Sequence, residues 1–177
     1  MNSLETTMTG KIPGPAVLAL LLSACAGATV APRDPAPHSI TIPVAARMTL
    51  DEFAGLAWLE GTWRGEGVGQ PPFWERYRFL NDSTIAIESF TDSTLAGPPE
   101  TGEVRLRDGL VTTGSGGALW VVTRRDGDAW RFEPVAGARN TFTWRRDADD
   151  AWTAVLSWPA AGDAHSRDRV YHLRRWP

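Results

Sequence analysis

From residue 63 onward, apolar and polar residues alternate with a period of two, which predicts β-strands. The clearest example runs from Phe73 to Phe79, where every second residue is aromatic except Glu75. Ten short segments have this character: residues 63–66, 73–79, 83–88, 103–107, 110–113, 118–124, 130–135, 141–146, 152–158 and 169–175. The pattern therefore predicts a protein built almost entirely of strands.

The links between these segments are rich in turn-forming residues and have no helical periodicity. Asp108-Gly109 and Asp126-Gly127 are pairs typical of two-residue hairpin turns. Strands connected in this way form an antiparallel up-and-down sheet, and a sheet of about ten strands curls on itself. Closure into a barrel removes the exposed edges. We therefore predict an all-β fold, an antiparallel barrel of about 8–10 strands.

One short helix is predicted before the first strand. Thr49 and Glu52 have the spacing of a capping box, in which each side chain bonds the backbone N–H group of the other residue. Phe53 and Leu56 then follow on one face. These positions predict a helix from about residue 50 to 57.

The start of the chain has the order of a secretory signal. Lys11 precedes an apolar run at residues 16–21, and small residues follow. Leu22-Ser23-Ala24-Cys25 resembles the lipobox of bacterial lipoproteins, which implies that Cys25 is lipidated and begins the mature chain. A secretory signal with an incidental cysteine and an N-terminal membrane anchor are the alternatives, although the apolar run is short for a membrane span.

The predicted organisation has three parts: a signal peptide at residues 1–24, a disordered Pro- and Ala-rich tether at 25–46, and a barrel domain at 47–177. The composition of the tether does not allow it to bury enough apolar surface to fold. The lipoprotein resemblance implies a cell-envelope protein attached to the membrane through the lipid on Cys25. Ala26 after the cysteine is compatible with the periplasmic face of the outer membrane.

Composition excludes several other kinds of site. Cys25 is the only cysteine, so the chain forms no internal disulfide and has no cysteine-based metal or redox site. The net charge is −3 and the basic residues are scattered, which argues against a nucleic-acid-binding face. Because no metal-binding or nucleophile motif is present, we predict no metal, no cofactor and no catalytic residues. We expect a monomer.

The first and the last predicted strands carry a second resemblance. Gly61-Thr62-Trp63 is similar to the Gly-x-Trp signature of lipocalins, and residues 58–63 resemble the opening of bacterial lipocalin-like domains of unknown function. In lipocalins an arginine of the last strand packs over this tryptophan, which implies that Arg174 or Arg175 covers Trp63. Such a cation–π contact contributes about 1 kcal/mol. The strand number resembles that of fatty-acid-binding or nitrobindin-like barrels.

The alternation also predicts which side chains line a cavity. Glu75 shares the aromatic face of its strand with Tyr77, and a carboxylate there has to be paired or protonated, so we predict that both contact a ligand. The alternative is the opposite orientation, with Trp74 buried and Glu75 in water. Four tryptophans are predicted to line the cavity or, alternatively, to fill it as core: Trp63, Trp120, Trp144 and Trp152.

His172 alternates with Val170 and Arg174, and we predict that it faces inward and contacts the ligand. Nitrobindin-like proteins hold haem through a late histidine, so a haem site at His172 is an alternative, although the surrounding motif differs. The sequence as a whole predicts non-covalent binding of a small, largely apolar ligand in the barrel. An envelope-assembly partner with a filled barrel and a small enzyme using the pocket are the alternatives.

Overall fold

The computed structural model describes residues 44–160 and 165–177. The predicted signal peptide, Cys25, residues 25–43 of the predicted tether and the turn around Gly162 lie outside the described residues. The last tether residue, Ala46, already belongs to the folded body, because its N–H group donates a 2.9 Å hydrogen bond to the backbone oxygen of Val122.

The regular structure of the described residues consists of ten strands and two short helical segments. Helix α1 spans Leu50–Ala54, and a 3-10 helix follows at Ala57–Leu59. The strands are β1 (Gly61–Gly67), β2 (Phe73–Asn81), β3 (Thr84–Phe90), β4 (Glu100–Arg107), β5 (Leu110–Ser115), β6 (Ala118–Asp126), β7 (Ala129–Ala136), β8 (Thr141–Ala148), β9 (Ala151–Trp158) and β10 (Arg167–Arg175). The predicted all-β class is confirmed.

Successive strands pair antiparallel, and β1 pairs with β10 to close the barrel. In the closed sheet Trp63 lies opposite Arg175 on one side and Glu75 on the other. Asp108 and Gly109, which join β4 to β5, have φ angles of 51° and 74°, as a type I′ turn requires. The predicted up-and-down barrel is therefore confirmed.

The capping box at the start of α1 is present. The Glu52 N–H group donates to Thr49 Oγ1 at 3.2 Å, and the Thr49 N–H group donates to Glu52 Oε2 at 2.8 Å. The helix is nevertheless shorter than predicted and ends at Ala54. Gly55 follows it and disfavours continuation, because glycine loses more conformational freedom in a helix than other residues do.

The segment around α1 closes the barrel end at which β1 begins. Phe53, Leu56 and Leu59 are completely buried. Phe53 packs edge-on against Phe79 of β2, with ring centres 6.1 Å apart. The backbone oxygen of Leu59 accepts a 2.6 Å hydrogen bond from the indole N–H of Trp63. These residues join the hydrophobic core, which continues along the barrel to Phe73 and Tyr171.

Candidate functional site

A cavity lies inside the barrel at the end opposite α1. Its volume is about 70 Å³, or about 590 Å³ when the space open to solvent is included. It is lined by Glu75, Tyr77, Ile87, Ser89, Glu100, Thr101, Gly102, Thr113, Gly114, Ser115, Trp120, Asn140, Phe142, Trp144 and Leu156. Glu100 and Thr101 are exposed and mark the mouth, whereas Glu75 and Asn140 are buried.

The carboxyl group of Glu75 is the most unusual group in this cavity. Only 1% of the residue is exposed. Its Oε2 accepts a 2.6 Å hydrogen bond from the Tyr77 hydroxyl, and its Oε1 accepts a longer one, 3.4 Å, from the Ser89 hydroxyl. Burial raises the pKa of Glu75 to about 7, although the bonds from Tyr77 and Ser89 act in the opposite direction. Glu75 can therefore hold or release a proton near neutral pH.

The orientation of β2 decides between the two alternatives for Glu75. Glu75 faces inward with Phe73 and Tyr77, so the orientation that places it in water is wrong. Trp74 is also buried, but its partners are different: the Arg64 guanidinium lies 6.0 Å from its ring centre and the Trp176 ring centre 5.8 Å away. The strand therefore has buried aromatic residues on both faces.

Asn140 completes the polar part of the cavity and has no counterpart among the predicted site residues. Its backbone oxygen accepts a 2.8 Å hydrogen bond from the indole N–H of Trp120, and its Nδ2 donates to the backbone oxygen of Thr141 at 3.3 Å. Its Oδ1 is buried and has no hydrogen-bond partner among the residues that the structure describes. Asn140 lies just before β8, where strand alternation gives no signal. Ser89, in contrast, follows Ile85 and Ile87 at a spacing of two, so strand alternation predicts its inward position.

The four predicted cavity tryptophans divide into two pairs. Trp120 and Trp144 line the cavity. Trp63 and Trp152 do not, and their prediction as cavity residues is corrected: both are completely buried in the core near α1, with ring centres 6.2 Å apart. Their positions along the barrel axis explain this. Trp63 lies near the start of β1 and Trp152 near the start of β9, and these strand ends meet α1.

Arg175, and not Arg174, covers Trp63. Its guanidinium carbon lies 4.0 Å from the Trp63 ring centre, and the same group donates hydrogen bonds to the backbone oxygens of Glu60 and Trp58. Arg174 is exposed on the opposite face of β10. The arginine thus ties the last strand to the segment that closes the barrel.

Gly61 makes this arrangement possible. Its φ angle is +118°, which L side chains rarely adopt, and a Cβ atom at this position would collide with Nη1 of Arg175. The Gly-x-Trp spacing therefore has a steric basis in this chain.

His172 lies on the outside of the barrel, so the prediction that it faces inward is wrong. Its neighbours Tyr171 and Leu173 are buried, whereas His172 is exposed. Its Nδ1 lies 3.2 Å from Oγ1 of Thr153, which donates a 2.5 Å hydrogen bond to Asp147. A haem ligand inside the barrel at this position is therefore excluded by the direction of the side chain.

Among residues 44–160 and 165–177, no group of three or more His, Cys, Asp or Glu side chains could hold a metal ion. No helix of the same part is long and apolar enough to cross a membrane.

No protein-family model matches the chain, and no curated protein matches it. Among solved structures, the chain is similar to Rv2717c from M. tuberculosis, with 18% identity, 71% of this chain and 97% of that chain covered, and a TM-score of 0.45. It is also similar to a redesigned β-barrel (13% identity, 70% and 96% covered, TM-score 0.35) and a de novo designed fluorescence-activating β-barrel (16% identity, 69% and 97% covered, TM-score 0.34). At these identities the similarity says nothing about a shared ligand.

Proposed function

We propose that the barrel binds a small molecule non-covalently in the cavity beside Glu75. The supporting observation is the position of this carboxyl group, which is buried, faces the cavity and has only neutral hydrogen-bond partners, Tyr77 and Ser89. A buried carboxyl group without a charged partner lowers the stability of a fold, and an apolar residue would pack there at lower cost. A binding site gives this carboxyl group a role that core packing does not.

The walls of the cavity set the kind of ligand and its size. Tyr77, Trp120, Phe142 and Trp144 present aromatic surface, so much of the contact is apolar. A cavity of about 70 Å³ is about half the volume of an engineered 150 Å³ cavity that holds benzene. By this ratio the enclosed part of a ligand has about three non-hydrogen atoms, and a larger ligand extends through the mouth.

Isothermal titration calorimetry of the full-length chain with four small probes tests this proposal. The probes are isopropanol, acetamide, acetate and isopropylammonium, which have similar sizes and different polar groups. A Ser115→Trp variant should close the mouth, because Ser115 lines the cavity at the end of β5 and is partly exposed. Ser115→Ala is the matched control that leaves the mouth open.

We expect at least one probe to bind saturably at a single site in the wild-type chain and in Ser115→Ala, and not in Ser115→Trp. Absence of saturable binding for all four probes would overturn the proposal. Binding that is equally strong in Ser115→Trp would do the same, because it would place the site outside the cavity.

We further propose that the barrel is held at the cell envelope by a lipid on Cys25. The support is the sequence Leu22-Ser23-Ala24-Cys25 after an apolar run, followed by a Pro-rich segment long enough to serve as a tether. Mass spectrometry of the protein from membranes of a bacterial host should give a mature chain that begins at Cys25 and carries acyl groups. A Cys25→Ala chain recovered in the same membrane fraction with an unmodified N-terminus would contradict the proposal.

A further inference from the structure

Among the described residues that line the cavity, the charged side chains are all carboxyl groups. Among the lining residues the ionisable side chains are Glu75, Glu100 and the phenol of Tyr77, and none is lysine, arginine or histidine. Glu75 lies deep in the cavity and Glu100 at its mouth, so a ligand that enters passes one carboxyl group and ends beside the other. A lining of one sign attracts ligands of the opposite charge.

Two arginines lie close to lining residues in the sheet, and their guanidinium groups contact other residues. Arg76, on the outer face of β2, donates a 2.7 Å hydrogen bond to Glu88. Arg169 lies opposite Leu156 in the sheet, but its guanidinium donates to the Tyr171 hydroxyl at 3.3 Å and lies 5.8 Å from the Trp158 ring centre. Neither arginine lines the cavity.

The aromatic walls favour a cation as well. The faces of Trp, Tyr and Phe rings attract ammonium groups, most strongly where water is excluded. Four of the lining residues, Tyr77, Trp120, Phe142 and Trp144, supply such rings within one small space. Tyr77 and Trp144 are in direct contact, with ring centres 6.0 Å apart. A carboxylate together with several aromatic faces is the combination that recognises organic ammonium ions.

The buried polar atoms of the cavity also favour an ammonium ligand. Oδ1 of Asn140 is a buried hydrogen-bond acceptor that has no donor in the described part of the chain, and an ammonium group carries only donors. The indole N–H of Trp144 is also unpartnered, which would suit an acceptor. It does not distinguish a ligand, however, because four tryptophans away from the cavity have the same property: Trp58, Trp74, Trp130 and Trp152.

We infer that the ligand of this cavity is a small organic amine bound as its ammonium ion, with the charge against the Glu75 carboxylate and Asn140 Oδ1 and the carbon atoms against Trp120, Phe142 and Trp144. This inference rests on the proposed function, since it names the chemical class of the molecule that the cavity binds. It assigns Glu75 the role of counter-ion.

Comparison of isopropylammonium with isopropanol tests the inference, because the two probes share three carbon atoms and differ in the charge of the polar group. Calorimetry uses the full-length chain in phosphate buffer, which is free of competing amines. At about pH 8 the probe carries its charge and Glu75 is ionised. We expect isopropylammonium to bind at least about tenfold more tightly than isopropanol, the ratio typical of a charge-assisted hydrogen bond.

Two variants and one change of pH locate the effect. Glu75→Gln should remove the roughly tenfold preference, whereas Glu88→Gln, the same change on the outer face of the neighbouring strand, should retain it. Lowering the pH to about 5.5 should weaken isopropylammonium binding by roughly tenfold or more in the wild-type chain, because Glu75 becomes protonated. This last measurement needs no variant and so does not depend on how Glu75→Gln folds.

The outcomes separate this inference from the proposed function. Binding of isopropanol or acetamide as tight as that of isopropylammonium, or a preference that survives Glu75→Gln, overturns the amine assignment and leaves a binding cavity in place. Binding of none of the probes overturns both. A preference that depends on Glu75 and on pH supports both.

Discussion

The hydroxyl group of Tyr77 donates a 2.6 Å hydrogen bond to the carboxyl group of Glu75, and both side chains are buried in the same cavity wall. The two residues are neighbours on the inward face of β2, two positions apart. The bond from Tyr77 opposes the effect of burial on the pKa of Glu75. Burial, and after it the nearby carboxylate, raises the pKa of Tyr77 well above its usual range. Tyr77 therefore stays protonated wherever Glu75 titrates.

The stability of the barrel should fall as the pH rises from about 4.5 through the folded-state pKa of Glu75, about 7, and then level off. Its pKa is about 7 in the folded chain, against 4.5 for an ordinary glutamate, so between these values the folded state holds a proton that the unfolded chain has lost. The free energy of unfolding should decrease by roughly 3 kcal/mol between about pH 4.5 and pH 8. Urea unfolding at several pH values measures this, and Glu75→Gln should lack the decrease while Glu88→Gln keeps it. Identical pH profiles for Glu75→Gln and the wild type would contradict the role given to this carboxyl group.

Removal of the Tyr77 hydroxyl should raise the pKa of Glu75 further. The hydrogen bond from Tyr77 stabilises the ionised carboxylate, so its loss in Tyr77→Phe favours the protonated form. The pKa of Glu75, followed by carboxyl ¹³C NMR, should move above about 7. Tyr171→Phe is the matched control, because the Tyr171 hydroxyl bonds Arg169 outside the cavity. A midpoint that stays at the wild-type value in Tyr77→Phe would show that the bond does not act on Glu75.

Arg175 should contribute much more to stability than Arg174. Arg175→Ala removes a guanidinium 4.0 Å from the Trp63 ring centre together with its bonds to two backbone oxygens, which should lower the free energy of unfolding by about 2–3 kcal/mol. Arg174 is exposed, and in the described part of the chain it makes no ion pair or side-chain hydrogen bond, so Arg174→Ala should change it by less than about 0.5 kcal/mol. Urea unfolding compares the two, and equal losses would count against the role of the Arg175–Trp63 contact.

Gly61→Ala should destabilise the barrel more than Gly69→Ala. Both glycines have positive φ angles, +118° and +69°, but only at Gly61 would the new Cβ meet another side chain, that of Arg175. The backbone cost alone is about 1–3 kcal/mol, and the collision adds to it at Gly61. Thermal unfolding should show a larger drop in Tm for Gly61→Ala. If the two variants unfold at the same temperature, Arg175 is free to move away and the contact is not tightly held.

The sequence predicted the strands well because the alternation and the turns agree. Tyr77 and Phe79 in one run, and Ile85 and Ile87 in the next, repeat at the two-residue spacing of a strand, and pairs such as Asp108-Gly109 separate the runs. The number and the order of the strands could therefore be predicted.

Strand β10 was the exception. Both faces of this strand mix apolar with polar residues. Val170, which is 39% exposed, therefore led to the wrong prediction that its face of the strand, with His172, points into the barrel. The contact between Arg175 and Trp63 fixes the orientation of β10, because it places Arg175 on the inward face. Alternation then places Leu173 inside the barrel and His172 outside.

The cavity itself was only partly predictable. The aromatic row around Glu75 indicated a buried carboxyl group, but the height of each tryptophan in the barrel depends on strand register, which alternation does not give. Trp63 and Trp152 therefore could not be told apart from Trp120 and Trp144. Asn140 lies outside the regular strands, and no periodicity pointed to it.

The most direct test of the binding cavity is an NMR titration that follows the indole N–H resonances of the tryptophans. Trp120 and Trp144 line the cavity, whereas Trp63 and Trp130 are buried away from it and serve as internal references. On addition of isopropylammonium at about pH 8, the resonances of Trp120 and Trp144 should shift saturably while those of Trp63 and Trp130 stay in place. If the cavity resonances do not move with this probe or with isopropanol, acetamide or acetate, the barrel does not bind small molecules beside Glu75.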